Sequence, residues 1–432
     1  MRWTTLFAAM LLGLAATPLQ AGAVGPWVES WGTALPLQPP PPSPFGNARP
    51  PAPSPAPPQD QQAAPNPRVP YPATLEDQTV RMIVRTSIGG EQIRLEFANR
   101  NGAGVVRIAA VHAALAQQDG SALAGSDTRV TFGGREELVL LPGARVVSDA
   151  VELPVGALGH VAVSLYLPGS TPAETVDEIG LMPTFIAPGN QAGATDLAQP
   201  TTAGSYFWLR GLSVPAADET GGAIIAFGDS ITEGYSTTFG AHAQWPALLA
   251  ERLQASPDLQ QWSVINTGIS GNRVLRTGAG EAAVARLTED VLSRPGARWV
   301  IVLESINDIN MSIMPGMPPG QVATADEIIA GLGQLIDRAR LHGLRIAGGT
   351  VMPTKGLPFY TEQGEAMRQA VNHWIRTSGR FDAVIDFDAA TRDPADPLRI
   401  NPAYDPGDHV HPNDAGNRAM AEAIDLDIFR SR

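Results

Sequence analysis

The chain reads as two folds in series: an antiparallel β-sandwich or jelly-roll-like domain, then a doubly wound, parallel α/β domain. Two observations predict this. Between Thr79 and Pro168 apolar residues recur with period two and no helical period of useful length. After Gly221, short apolar runs alternate with stretches of helical periodicity, the pattern of a parallel sheet covered on both faces. The 432 residues allow two or three domains, and 44% hydrophobic against 17% charged residues is enough apolar surface for packed cores.

Element by element, Arg2, the apolar run Leu6–Ala16 and the small triplet Ala21-Gly22-Ala23 have the order of a secretory signal peptide over residues 1–23. The run is too short to cross a bilayer, so the mature chain is expected to be secreted or periplasmic, with no integral span. A β-rich domain over 24–215 contains a Pro-rich loop at about 36–72, which favours extended polyproline conformations. Val80, Met82 and Val84, then Ile93, Leu95 and Phe97, flank Gly89-Gly90 and predict a hairpin. Further strands are expected at 104–114, 129–132, 137–141 and 160–167.

The α/β domain, 221–432, is predicted to place strands at 223–227, 263–266, 299–303, 345–350 and 383–387. Helices are predicted at 245–253, 282–292, 326–341, 365–377 and 414–428.

Forty-three acidic and thirty basic residues give a formal charge of −13, which disfavours nucleic acid and anionic lipid surfaces. The absence of cysteine excludes disulfides, thiol catalysis and cysteine-ligated metals.

Chemistry concentrates where the first apolar strand ends in Gly228-Asp229-Ser230 and a helical segment begins. Ligands of parallel sheets bind at the carboxyl ends of strands, so Ser230 is placed as a nucleophile. A serine hydroxyl needs a base and a group to orient it, and Asp408-His409-Val410-His411 supplies both near the far end. No Gly-x-Ser-x-Gly elbow is present, which argues against the common α/β-hydrolase fold.

Four segments in order resemble the blocks of SGNH hydrolases, also called GDSL esterases and lipases: Gly228-Asp229-Ser230, Asn266 to Asn272, Ile306-Asn307-Asp308 and Asp408 to His411. The resemblance covers about 221–432 and implies a flavodoxin-like sheet of SGNH type. It implies Ser230 as nucleophile, His411 as base and then acid, and Asp408 as the residue orienting His411. The backbone N–H groups of Ser230 and Gly271 and the Asn307 amide would form the oxyanion hole, without metal or organic cofactor. Ser305 stands where the third block normally has glycine, and its side chain is expected to narrow the site or shift the turn holding Asn307.

A metal reading would group Asp408, His409 and His411, but hydrolytic zinc motifs such as His-Glu-x-x-His are absent. Met311 to Gly320 reads as an adaptable apolar loop beside Asn307, equally able to line an acyl pocket or simply to pack. Arg273 suits a surface ion pair better than a substrate contact. Trp27, Trp31, Tyr71, Tyr166, Tyr206 and Trp208 would serve either a carbohydrate-stacking platform or a core, the latter favoured. The expected protein is a secreted serine esterase for short-chain esters, including acetyl esters of carbohydrates. A lipase or thioesterase for longer chains, and a carbohydrate-binding protein with a degenerate hydrolase domain, are the alternatives.

Overall fold

A computed structural model describes residues 26–37, 69–218 and 220–430. The expected signal peptide and most of the Pro-rich loop lie outside the described residues.

Fifteen strands occupy the N-terminal region of the described chain: β1 (Trp27–Gly32), β2 (Thr74–Arg85), β3 (Gly90–Ala98), β4 (Val106–Ile108), β5 (Ala110–Ala116), β6 (Thr128–Val130), β7 (Leu138–Leu140), β8 (Arg145–Val147), β9 (Val151–Val155), β10 (His160–Pro172), β11 (Val176–Asp177), β12 (Thr184–Pro188), β13 (Thr201–Ala203), β14 (Tyr206–Phe207) and β15 (Leu209–Pro215). One antiparallel sheet runs β1-β15-β3-β8, with β9 also on β3, and another runs β13-β12-β2-β10-β5-β6. Their inner residues, among them Val80, Met82, Leu95, Phe97, Val163 and Leu212, share one apolar core.

The predicted strands around Gly89-Gly90 form, but they do not make a hairpin. β2 pairs with β10 and β12, whereas β3 pairs with β15, β8 and β9. The Gly-Gly turn hands the chain from one sheet to the other. Period two identifies strands but is silent about partners, and β2 is a central strand whose Val80–Val84 stretch is wholly buried. Arg81 in that stretch is accommodated because its guanidinium donates to Ser164 Oγ (2.9 Å) and to the carbonyl of Thr195 (3.0 Å).

The C-terminal region adds β16 (Gly222–Gly228), β17 (Trp262–Gly268), β18 (Ala297–Leu303), β19 (Arg345–Gly349) and β20 (Ala383–Ile385). Its helices are α1 (Ser230–Glu233), α2 (Trp245–Gln254), α3 (Ala283–Leu287), α4 (Ile306–Ile313), α5 (Ala325–Leu341), α6 (Glu362–Thr377), α7 (Phe387–Thr391) and α8 (Asp414–Glu422). The parallel sheet order is β17-β16-β18-β19-β20, the doubly wound order 2-1-3-4-5. All seven residues of β16 are buried, as expected of a central strand covered on both faces.

Two helices depart from expectation. The helix expected over 414–428 stops at Glu422 because the Asp425 carboxylate accepts the Asp427 N–H and starts a separate 3₁₀ turn at Leu426–Phe429. Arg252 Nη1 meanwhile takes the carbonyl of Ile424 (2.9 Å). α4 was not legible as a helix, and it absorbs the first residues of the supposed methionine loop. Farther on, Arg276 Nε donates to the Gly320 carbonyl (2.8 Å), so that loop is tied down at its end.

The two regions meet along a buried polar seam. The Glu29 N–H donates to the Pro295 carbonyl (2.9 Å), Ser263 Oγ donates to the Glu29 carbonyl (2.6 Å), and Ser87 Oγ donates to the Val264 carbonyl (2.9 Å). Arg294, fully buried, pairs with Glu29 at 2.9 Å, and Arg85 pairs with Glu251 at 2.9 Å. Four of the six aromatics considered for a sugar platform pack within the N-terminal region, while Trp27 and Tyr166 stay partly exposed. Trp208 and Tyr206 are buried, Trp31 meets Tyr206 edge to face at 4.8 Å, and Tyr71 meets Phe207 at 5.2 Å.

Candidate active site

The site is assembled at the carboxyl ends of β16, β17 and β18, beside the point where the strand order reverses. β16 ends on Gly228, where a Cβ would lie 2.2 Å from Thr232 Oγ1 and 2.5 Å from the Leu303 carbonyl oxygen. Only glycine lets α1 turn back this closely. Asp229 caps α1 by accepting the Ile231 N–H (2.9 Å), which sets Ser230 as its first residue.

Ser230 Oγ lies 2.8 Å from His411 Nε2, and His411 Nδ1 lies 2.7 Å from Asp408 Oδ2. Asp408 Oδ1 accepts the N–H groups of Val410 (3.0 Å) and His411 (2.9 Å), so the loop bonds to its own carboxylate. Burial alone would raise the Asp408 carboxyl, but the hydrogen bond and charge of His411 outweigh it and hold the group below the usual carboxylate range. The Tyr235 ring covers the imidazole at 4.5 Å, tilted by 39°.

Gly271 takes φ +78°, and its N–H, like that of Ser230, makes no hydrogen bond among the described residues. Asn307, near the start of α4, donates one amide hydrogen to the Asn272 carbonyl (2.9 Å), leaving the second free. The structure thus gathers all five expected site residues around these strand ends.

Ser305 is a different matter. It adopts φ +98°, the glycine conformation, yet it is fully buried and its hydroxyl has no hydrogen-bond partner. It therefore does not narrow the site; the side chain points into protein. Arg273 is also reassigned, from the surface to the interior. It is 6% exposed and donates to the Thr277 carbonyl (3.0 Å) and Gln321 Oε1 (2.9 Å), bracing the loop after the glycine block.

His409 has a carboxylate partner of its own: its Nδ1 lies 2.6 Å from Asp405 Oδ2. Among the described residues no three His, Asp or Glu side chains are grouped to hold a metal ion.

Sequence reasoning missed three buried carboxyls beside the site residues. Asp229, Glu304 and Asp308 are each at most 2% exposed. Burial pushes all three carboxyls up, Asp308 to about 6, although the N–H groups of Val274 (2.7 Å) and Leu275 (3.3 Å) partly counter the effect there. The fully buried guanidinium of Arg286 faces Glu304 at 3.2 Å, and its Cζ lies 4.0 Å above the Phe227 ring centroid. Helix periodicity placed residue 286 on a helix, and nothing in the sequence marked its arginine as buried.

A 2-1-3-4-5 parallel sheet bearing these strand-end residues defines a hydrolase of the SGNH type. Residues 226–419 match the model of the GDSL-like Lipase/Acylhydrolase family, and the C-terminal region belongs to that family, which makes the protein a carboxylic ester hydrolase.

No curated protein matches the chain. Among solved structures, an acetylxylan esterase from Geobacillus stearothermophilus is 26% identical, with 49% of this chain and 97% of that one covered and a TM-score of 0.38. An alpha/beta hydrolase enzyme from the metagenome of Lake Arreo, Spain, is 21% identical over 48% of this chain and 94% of that one, with a TM-score of 0.38. A GDSL-like lipase from Bacteroides thetaiotaomicron is 17% identical over 49% and 89%, with a TM-score of 0.36.

Proposed function

We propose that the protein is a serine esterase acting on short-chain carboxylic esters, acetyl esters of carbohydrates among them, through a covalent acyl-enzyme. The observation that carries this reading is the unbroken hydrogen-bond chain Ser230–His411–Asp408. His411 Nε2 takes the Ser230 proton as Oγ attacks the ester carbon, and Asp408 stabilises the imidazolium that forms. The carbonyl oxygen becomes an oxyanion held by the N–H groups of Ser230 and Gly271 and the Asn307 amide. His411 then protonates the leaving alcohol, and a water activated by the same imidazole releases the acid.

Residues 1–23 carry the order of a secretory signal, and the mature enzyme is proposed to act in a periplasm or outside the cell.

One observation favours a longer-chain reading. Met311 lies one helical turn beyond Asn307 on α4 and is half-buried, an apolar flank outside the oxyanion donors. Hydrolysis of p-nitrophenyl acetate, butyrate and laurate, with Ser230→Ala as the blank, separates the two. A steep preference for acetate supports the short-chain esterase; equal or faster laurate turnover replaces it with a lipase. Retained activity in folded Ser230→Ala removes the nucleophile assignment.

A further inference from the structure

Arg286 is fully buried on α3, and no step of the proposed chemistry uses it. Every one of its nitrogens is nevertheless engaged, and four of the five acceptors belong to the strand ends that build the site. Nη2 donates to the Gly228 carbonyl (2.7 Å), one peptide before Asp229-Ser230, and to Glu304 Oε1 (3.2 Å) just beyond β18. Nη1 donates to the Thr267 carbonyl (2.8 Å) in β17 and to Asp290 Oδ2 (3.2 Å). Nε donates to Asn272 Oδ1 (2.9 Å), in the residue after Gly271.

Asn272 passes the constraint on. Its own carbonyl accepts the Asn307 amide (2.9 Å), and its Nδ2 donates to the carbonyls of Ala279 (3.0 Å) and Glu281 (2.8 Å). One rigid, planar guanidinium thus reaches the segments carrying each of the three oxyanion donors: β16 for the Ser230 N–H, the 268–272 turn for the Gly271 N–H, and Asn272 for the Asn307 side chain.

We propose that Arg286 is the positioning residue of the oxyanion hole, fixing the spacing of its three donors by holding the ends of β16, β17 and β18 in one grip. The inference rests on the reading of Ser230, Gly271 and Asn307 as that hole. Oxyanion stabilisation requires donors set for the tetrahedral oxygen rather than for the ground-state carbonyl. A loosened hole therefore weakens the transition state and leaves substrate binding nearly untouched.

The test compares Arg286→Lys, which keeps the charge facing Glu304 and Asp290 but cannot reach five acceptors, with Arg294→Lys. Arg294 is equally buried and also faces Asp290, at 3.7 Å, but its hydrogen bonds serve the seam with Glu29 and Thr33 and reach none of the strand-end acceptors that Arg286 holds. For Arg286→Lys the expected result is a kcat on p-nitrophenyl acetate at least tenfold lower, with KM changed less than twofold. Affinity for an alkylboronic acid, which mimics the tetrahedral intermediate, should fall by the same factor as kcat. Arg294→Lys should lower the melting temperature and leave both kcat and boronate affinity in place.

Should Arg286→Lys not fold, Asn272→Ala cuts the same strut and is expected to give the same kcat and boronate signature. Parallel loss in both arginine variants, or a lowered melting temperature in Arg286→Lys with kcat and boronate affinity intact, would overturn the proposal. Asn307→Ala keeps the two readings apart. If it has no effect, the hole itself is misassigned; if it slows turnover while Arg286→Lys does not, only the positioning role falls.

Discussion

Ser305→Gly is expected to stabilise the protein without altering catalysis. The serine sits at φ +98°, where a side chain costs about 1–3 kcal/mol. Its buried hydroxyl has no partner, a further penalty of about 1–3 kcal/mol. Against these stand the greater freedom of glycine in the unfolded chain, about 0.5–1 kcal/mol, and the packing that one small side chain supplies. The balance is a gain of about 2 kcal/mol, which for a folding unit of this size raises the melting temperature by about 4–8 °C. Differential scanning calorimetry reads the shift, and p-nitrophenyl acetate turnover should stay within twofold because the side chain is fully buried. An unchanged or lower melting temperature would refute the claim that the backbone at 305 is strained, and a large change in kcat would refute its separation from the site.

Asn307→Ala should lower kcat about 10²–10³-fold with little change in KM, the signature of a donor used only in the transition state, read by steady-state kinetics. Glu29→Ala leaves Arg294 buried with one strong partner fewer and is expected to cost about 3 kcal/mol, measured by urea unfolding. At the seam, His242 Nε2 lies 2.9 Å from His160 Nε2, and burial, with Arg85 and His160 nearby, pushes His242 down to about 3. The depressed value means that the unfolded chain takes up the proton first, so the stability tied to this histidine is complete above about pH 6.5 and lost as pH falls. The slope is about 1.4 kcal/mol per pH unit down toward pH 3, and His242→Asn should flatten it in pH-dependent melts.

The α/β architecture was legible because its strands are largely buried and its helices amphipathic, two patterns with different periods. The site residues were legible because they stand at strand ends in a fixed order: Ser230 after Gly228-Asp229, and His411 three residues after Asp408. The pairing of β2 and β3 was not, since alternation marks which face is buried and leaves the partner strand open. Ser305 and Arg273 were misread for one reason: polar residues next to a site look exposed in sequence, and only tertiary packing reveals them as interior. Arg286 shows the limit most plainly. A lone arginine in the run Ala282-Ala283-Val284-Ala285-Arg286-Leu287 looks like the polar face of a helix, while its acceptors come from residues 228, 267, 272, 290 and 304.

β1 leaves its mark on the order in which the molecule can form. Glu29 meets Arg294 across 265 positions of chain, and Trp27 to Gly32 find their pairing strand only at Gly211 to Pro215. During synthesis the first strand must wait, unpaired, until the last antiparallel strand, Leu209–Pro215, has been made. Completion of the antiparallel sheet is thereby deferred to a late, long-range closure, the kind of step that makes folding slow and leaves an open strand edge exposed meanwhile.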